Sequence, residues 1–168
     1  MSGPRLQRGV TWVEFAVRAA IVGIVATVLS TIALYYLELG EKTEVQLTIM
    51  NMRSGLRQQI AERLFQGRTS ELATLAGANP MQWLERPPEN YGGELRSADA
   101  ERLGGARWYF DVERRELRYR PRLRGHLNPD LQVLRWRVAP VYGAPRSLEK
   151  LGAIESLSLV EIDHYQWF

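Results

Sequence analysis

AAIVGIVATVLSTIALYYL, the stretch Ala19–Leu37, contains no charged side chain. Its 19 residues as helix would span roughly 28 Å, close to the hydrocarbon thickness of one bilayer. The remainder of the 168-residue chain is charge-rich, so it reads as a basic N-terminus, a membrane-compatible segment and a polar remainder. The run is rich in Val and Ile as well as Ala and Leu. A bilayer accepts them in a helix, because backbone groups there must be satisfied internally whatever the propensity. Arg5, Arg8 and Arg18 precede the run, and the positive-inside rule places that end in the cytoplasm.

Beyond Leu37, the apolar residues Val45, Ile49, Met52, Leu56, Ile60 and Leu64 recur at spacings of three and four, with Arg and Glu between them. That period predicts an amphipathic helix continuing from the apolar one, together more than fifty residues long. Gly40 and Gly55 are soft points in it, each costing about 1 kcal/mol relative to Ala, and Gly67 is the expected stop. The expected segments are therefore a leader at 1–9, a transmembrane helix at 10–37, a helical stem at 38–68 and a globular domain at 69–168.

In the last segment, Ser70–Ala76 reads as a short helix, and Asn79-Pro80 begins another turn through Leu84. Pro87-Pro88 and Gly92-Gly93 mark a long irregular connection. After Gly104-Gly105 the period becomes two. Trp108, Phe110 and Val112, then Leu117 and Tyr119, predict a hairpin turning at Glu113–Glu116. Leu134, Trp136 and Val138 predict a third strand ended by Pro140. Ser156–Asp163 predicts a fourth, with a phase slip near Val160. The expected fold is α+β, a long N-terminal helix whose outer half packs on a four-stranded antiparallel sheet.

Composition removes several function classes. There is no cysteine, hence no disulfide framework, thiolate zinc site or catalytic thiol. The two histidines, His126 and His164, stand far apart, and no catalytic triad spacing, metal-ligand cluster or phosphate-binding glycine loop occurs. The pI near 9.4 overstates the charge. Without Arg5 and Arg8 the chain carries 20 basic against 19 acidic residues, and from Thr69 onward 14 of each. No global field steers that domain to phosphate, so nucleic acid is not expected as a partner.

Gly9-Val-Thr-Trp-Val-Glu14, after a short basic leader, resembles the prepilin-type signature of the type IV pilin-like family. That signature is a Gly ending the leader, a hydrophobic residue, Thr, two hydrophobic residues and Glu. Ala20, Gly23 and Ala26 occupy small-residue positions usual in that family. The resemblance is close over Arg8–Leu37 and architectural over the rest. It implies cleavage between Gly9 and Val10 by a prepilin peptidase, with methylation of the new amine. The product would be a single-pass inner-membrane protein with its globular domain in the periplasm, lifted by an assembly platform into a filament of pilin or pseudopilin subunits. It implies a structural protein, not an enzyme, without a cofactor.

A carboxylate in hydrocarbon costs about 2.5–3.5 kcal/mol and needs a partner. The resemblance supplies one for Glu14, the Val10 ammonium of a neighbouring subunit. Arg18, four residues on in the favourable acid-then-base order, offers another within the same helix. Arg18, Thr31 where the family commonly has proline, Val10 and Trp12 depart from the family pattern, and they point to a minor or initiating subunit. The alternative is an ordinary single-pass anchor presenting a periplasmic ligand-binding domain.

Arg118, Arg120, Arg122 and Arg124, with Arg135 and Arg137, have the spacing of a basic stripe on one sheet face. Tyr109 and Tyr119 interleave with them. The stripe reads either as a site for DNA or an anionic polysaccharide, or as a solvated face balanced by Asp111, Glu113, Glu116 and Glu161. The neutral domain favours the second reading. Asn128-Pro-Asp130 reads as a turn, with a calcium loop as the sharper alternative. Trp83, Trp108 and Trp136 are expected core, and Trp167-Phe168 would either dock a partner subunit or close the sheet.

Overall fold

The computed structural model describes residues 11–100, 102, 104–142 and 154–168. Helix α1 runs Trp12–Phe65, and the chain divides into two compact units between Leu39 and Gly40.

In the first unit, α1 holds a stretch long and apolar enough to cross a membrane, which is compatible with a membrane anchor. Its large apolar side chains, Trp12, Ile24 and Leu29 among them, are exposed. The two threonines inside the run are satisfied locally. The Thr27 and Thr31 hydroxyls each donate 2.9 Å hydrogen bonds to the carbonyls four residues back. They therefore carry no unsatisfied donor into hydrocarbon.

The second unit is α+β. Two 3-10 turns (Thr69–Leu75 and Pro80–Trp83) follow the helix. Then come β1 (Tyr91–Leu95), the one-turn α2 (Ser97–Ala100), β2 (Arg107–Asp111), β3 (Glu116–Arg120), β4 (Leu134–Tyr142) and β5 (Ile154–Glu161). The strands form one sheet in sequence order, with β1 parallel to β2 and the other neighbours antiparallel.

The stem helix buries Val45, Ile49, Met52 and Leu56 in one core with Trp108, Phe110, Leu117, Tyr119, Leu134, Trp136, Val138, Leu157 and Leu159. Each fully buried aliphatic side chain contributes about 1.5–3 kcal/mol. Ile60 is partly buried against this core. Leu64, the last residue of the expected stripe, is exposed, since the helix is about to end. The Arg68 N–H donates to the Arg63 carbonyl at 2.8 Å and the Gly67 N–H to the Leu64 carbonyl at 3.1 Å, with Gly67 at φ 72°. This is a Schellman stop, with glycine in the left-handed position that suits it.

Three expectations are corrected. The sheet is mixed and five-stranded, not four-stranded and antiparallel, because Tyr91–Leu95 is a strand. Its Gly92-Gly93 pair absorbs a register shift between Tyr91 and Glu94, with Gly93 at φ 87°. A glycine bulge of this kind reads from sequence as a loop. Pro140 does not end β4, since it pairs with Leu157 and the strand continues to Tyr142. There β4 has run past the end of its pairing with β3 at Trp136, so the missing proline N–H meets an edge. Finally, the irregularity in the β4–β5 pair falls between Val141 and Tyr142 rather than near Val160.

Candidate functional site

Gly9 and Val10, the expected processing residues, lie outside the described residues. Thr11 precedes the first helical residue, and its hydroxyl accepts the Glu14 N–H at 3.3 Å. Thr-x-x-Glu is thus also a helix-capping pattern, a reading the spacing Thr11–Glu14 offers from sequence. Arg18 lies 3.5 Å from Glu14, both side chains being more than half exposed (66% and 56%). The helix therefore supplies Glu14 with a counter-charge of its own.

The basic-stripe residues divide into two sets. Across the antiparallel β3–β4 pair, Arg118 faces Arg135, and Arg137 follows on the same face. Like charges directly opposed are unfavourable, and carboxylates interleave to relieve them. Arg118 reaches Glu116 at 2.9 Å and Asp111 at 3.4 Å. Arg137 reaches Glu116 at 2.7 Å. Arg135 makes a two-point contact with Asp163 at 2.6 and 2.5 Å.

Asp111, whose side chain is fully buried, also accepts from the Ser97 hydroxyl at 2.7 Å and from the Glu113 and Arg114 N–H groups at 3.1 Å each. Burial pushes its pKa up, yet the Ser97 hydroxyl, the two N–H groups and the Arg118 guanidinium together hold it below the usual value. The Arg135 guanidinium likewise holds Asp163 low. These acids close the β2–β3 turn and tie β4 to the C-terminal segment.

Arg120 is the last residue of β3, on the same face as Arg118, and Arg122 and Arg124 follow it beyond the strand. That segment is held by Glu41 of the stem, which the sequence does not single out because it looks like one more surface acid. Its carboxylate accepts from the Tyr119 hydroxyl at 2.8 Å and from the Arg122 and Leu123 N–H groups at 2.7 and 3.1 Å. Burial, then the bond to Glu41, raises the Tyr119 pKa well above its ordinary value. Arg107 stands directly opposite Arg120 across the β2–β3 pair.

Asn128 accepts the Gln166 N–H at 3.2 Å, and its carbonyl accepts the Leu131 N–H at 3.0 Å. Among the described residues no group of three or more His, Asp or Glu side chains converges as a metal site. Trp108 and Trp136 are buried, and Trp83 is partly so. Trp167 is buried too, and it bridges to Leu127. Phe168 stacks on His126 with ring centroids 4.5 Å apart and carries the Lys42 ammonium 5.2 Å above its ring. The C-terminal aromatics thus pack on this unit's own residues.

No family model matches the chain, and no curated protein or solved structure does.

Proposed function

We propose that the chain is a minor pilin or pseudopilin. In this reading a prepilin peptidase cuts it after Gly9, and it then assembles into a type IV pilus or type II secretion-type filament. The observation that carries the reading is the Gly9–Glu14 pattern standing four residues before a charge-free run. The helix that bears this run, Trp12–Phe65, continues as a stem whose buried stripe covers a β-sheet. In such an assembly the apolar helix leaves the bilayer for a filament core, exchanging lipid contacts for helix–helix packing. The Glu14–Arg18 pair supports a minor or initiating role. A subunit that neutralises its own carboxylate depends less on a neighbour's ammonium to enter the hydrocarbon.

N-terminal peptide mass analysis, in cells with and without a prepilin peptidase, tests the reading. A mature end at Val10 that requires the peptidase is the expected result. An uncut chain, in cells that process other prepilins, would favour a single-pass anchor presenting a periplasmic binding domain. Glu14→Gln then tests the assembly step. Co-assembly as efficient as wild type would remove Glu14 from the mechanism.

A further inference from the structure

Two adjoining clefts, about 350 and 360 Å³, meet at Gly105 and Arg122. Arg120 and Arg124 line the first, and Arg107 lines the second. Unlike Arg118, Arg135 and Arg137, the residues Arg107, Arg122 and Arg124 have no ion-pair partner among the described residues. Four guanidinium-bearing residues thus border this paired hollow in a domain with no net charge.

The hollow is built, not incidental. Glu41 pins the backbone of Arg122 and Leu123, which fixes where the arginines leave the chain. Gly105 lets the opposite wall come close, since a Cβ there would stand 3.0 Å from the Arg122 Cα. Next to it Ala106 is held at φ 56°, a conformation that costs a non-glycine residue about 1 kcal/mol or more and tends to persist at binding sites.

The rest of the lining narrows the ligand. No aromatic side chain lines either cleft among the described residues. Bases therefore find no stacking platform, which disfavours single-stranded nucleic acid. The other polar groups are Gln132 in the first cleft and Asn90 and Glu89 in the second. The amide side chains of Gln132 and Asn90 offer both donors and acceptors of the kind a sugar hydroxyl uses. Guanidinium groups match carboxylate and sulfate oxygens in pairs. We infer that this cleft binds an acidic sugar, its anionic group held by Arg107, Arg122 and Arg124 and its hydroxyls by the amide side chains. The inference does not depend on filament assembly and holds equally for a membrane-anchored domain.

The test is binding of oligogalacturonate and of a heparin tetrasaccharide to the full chain in detergent micelles. A neutral maltooligosaccharide and a short DNA duplex serve as comparisons. Both acidic glycans should bind, weaken as salt is raised and lose at least about tenfold in affinity in the triple variant Arg107→Gln/Arg122→Gln/Arg124→Gln. Arg68→Gln, which removes a surface charge elsewhere, should leave binding unchanged. If the triple variant unfolds, the single Arg124→Gln carries the same prediction at a smaller factor. Undiminished binding by a folded variant, no binding of either acidic glycan, or equal binding of the neutral one would overturn the site. Tighter binding of the duplex than of both glycans at matched salt would overturn the sugar assignment.

Discussion

Two glycines on α1 should respond to the same substitution with opposite signs. A Cβ added at Gly40 meets nothing within 4 Å. Gly40→Ala should therefore return only the helix-propensity gain, about 1 kcal/mol. At Gly55 the added carbon would lie 2.8 Å from the Trp83 carbonyl oxygen and 3.0 Å from the Trp83 Cβ, closer than side chains normally tolerate. The nearest obstacle is backbone, on a 3-10 turn that Asn79 caps by accepting the Met81 N–H at 3.1 Å. Asn79 is itself tied to Tyr91 and Glu94 at 2.8 and 2.9 Å. The turn cannot retreat without disturbing those bonds, so the overpacking cost falls in the upper part of the usual range of about 1–3 kcal/mol. After the propensity gain, Gly55→Ala should lose about 1–2 kcal/mol. At about 4 °C per kcal/mol for a domain of this size, Tm should fall by about 4–8 °C in Gly55→Ala and rise by about 4 °C in Gly40→Ala. Thermal and urea unfolding of the full chain in micelles, followed by tryptophan fluorescence, measures both. Equal stabilisation by the two substitutions would refute the close approach of Trp83 to the stem.

Three other outcomes follow from contacts described above. Glu41→Gln keeps the side chain's size but leaves one oxygen for three donors, and should cost about 1.5–3 kcal/mol in urea denaturation; an unchanged midpoint would mean the carboxylate does not hold the loop after β3. Gly67→Ala forces a Cβ into the left-handed stop and should cost about 1 kcal/mol, read as a lower Tm. Asp111 and Asp163 have folded pKa values below their ordinary ones. Their stabilisation is therefore full above the unfolded value, about 3.9, and is lost as pH falls through the folded values. Stability measured against pH should decline below about pH 4, less steeply in Asp163→Asn; identical acid limbs in the two proteins would contradict the Arg135–Asp163 linkage.

The elements written as strong periods were legible in the sequence. The charge-free run, the stem stripe from Val45 to Leu56 and the alternation about Trp108 and Trp136 each reach across several residues, so single exceptions do not erase them. What was missed depends on partners distant in sequence. β1 hides behind Gly92-Gly93, because a bulge needs glycine where a strand pattern expects a side chain. Gly55 looks like a weak point of the helix until Trp83 is brought against it. Glu41 looks like one surface acid among many until β3 supplies its donors. Arg118, Arg120 and Arg122 share an alternation in the sequence, yet only the fold determines which guanidinium finds a carboxylate. Arg107 carried no signal at all, as it joins Arg122 only through strand pairing and the close pass of Gly105.

Pro140 has a further consequence. Gly77 donates to the Val138 carbonyl at 2.8 Å, so Val138 turns its backbone groups away from β5. Pro140, two residues on, turns the same way. The overhanging margin of β4 therefore has one acceptor already engaged and one donor missing. A foreign strand laid along it would find no ladder to extend. That margin is a built-in refusal of sheet-to-sheet aggregation.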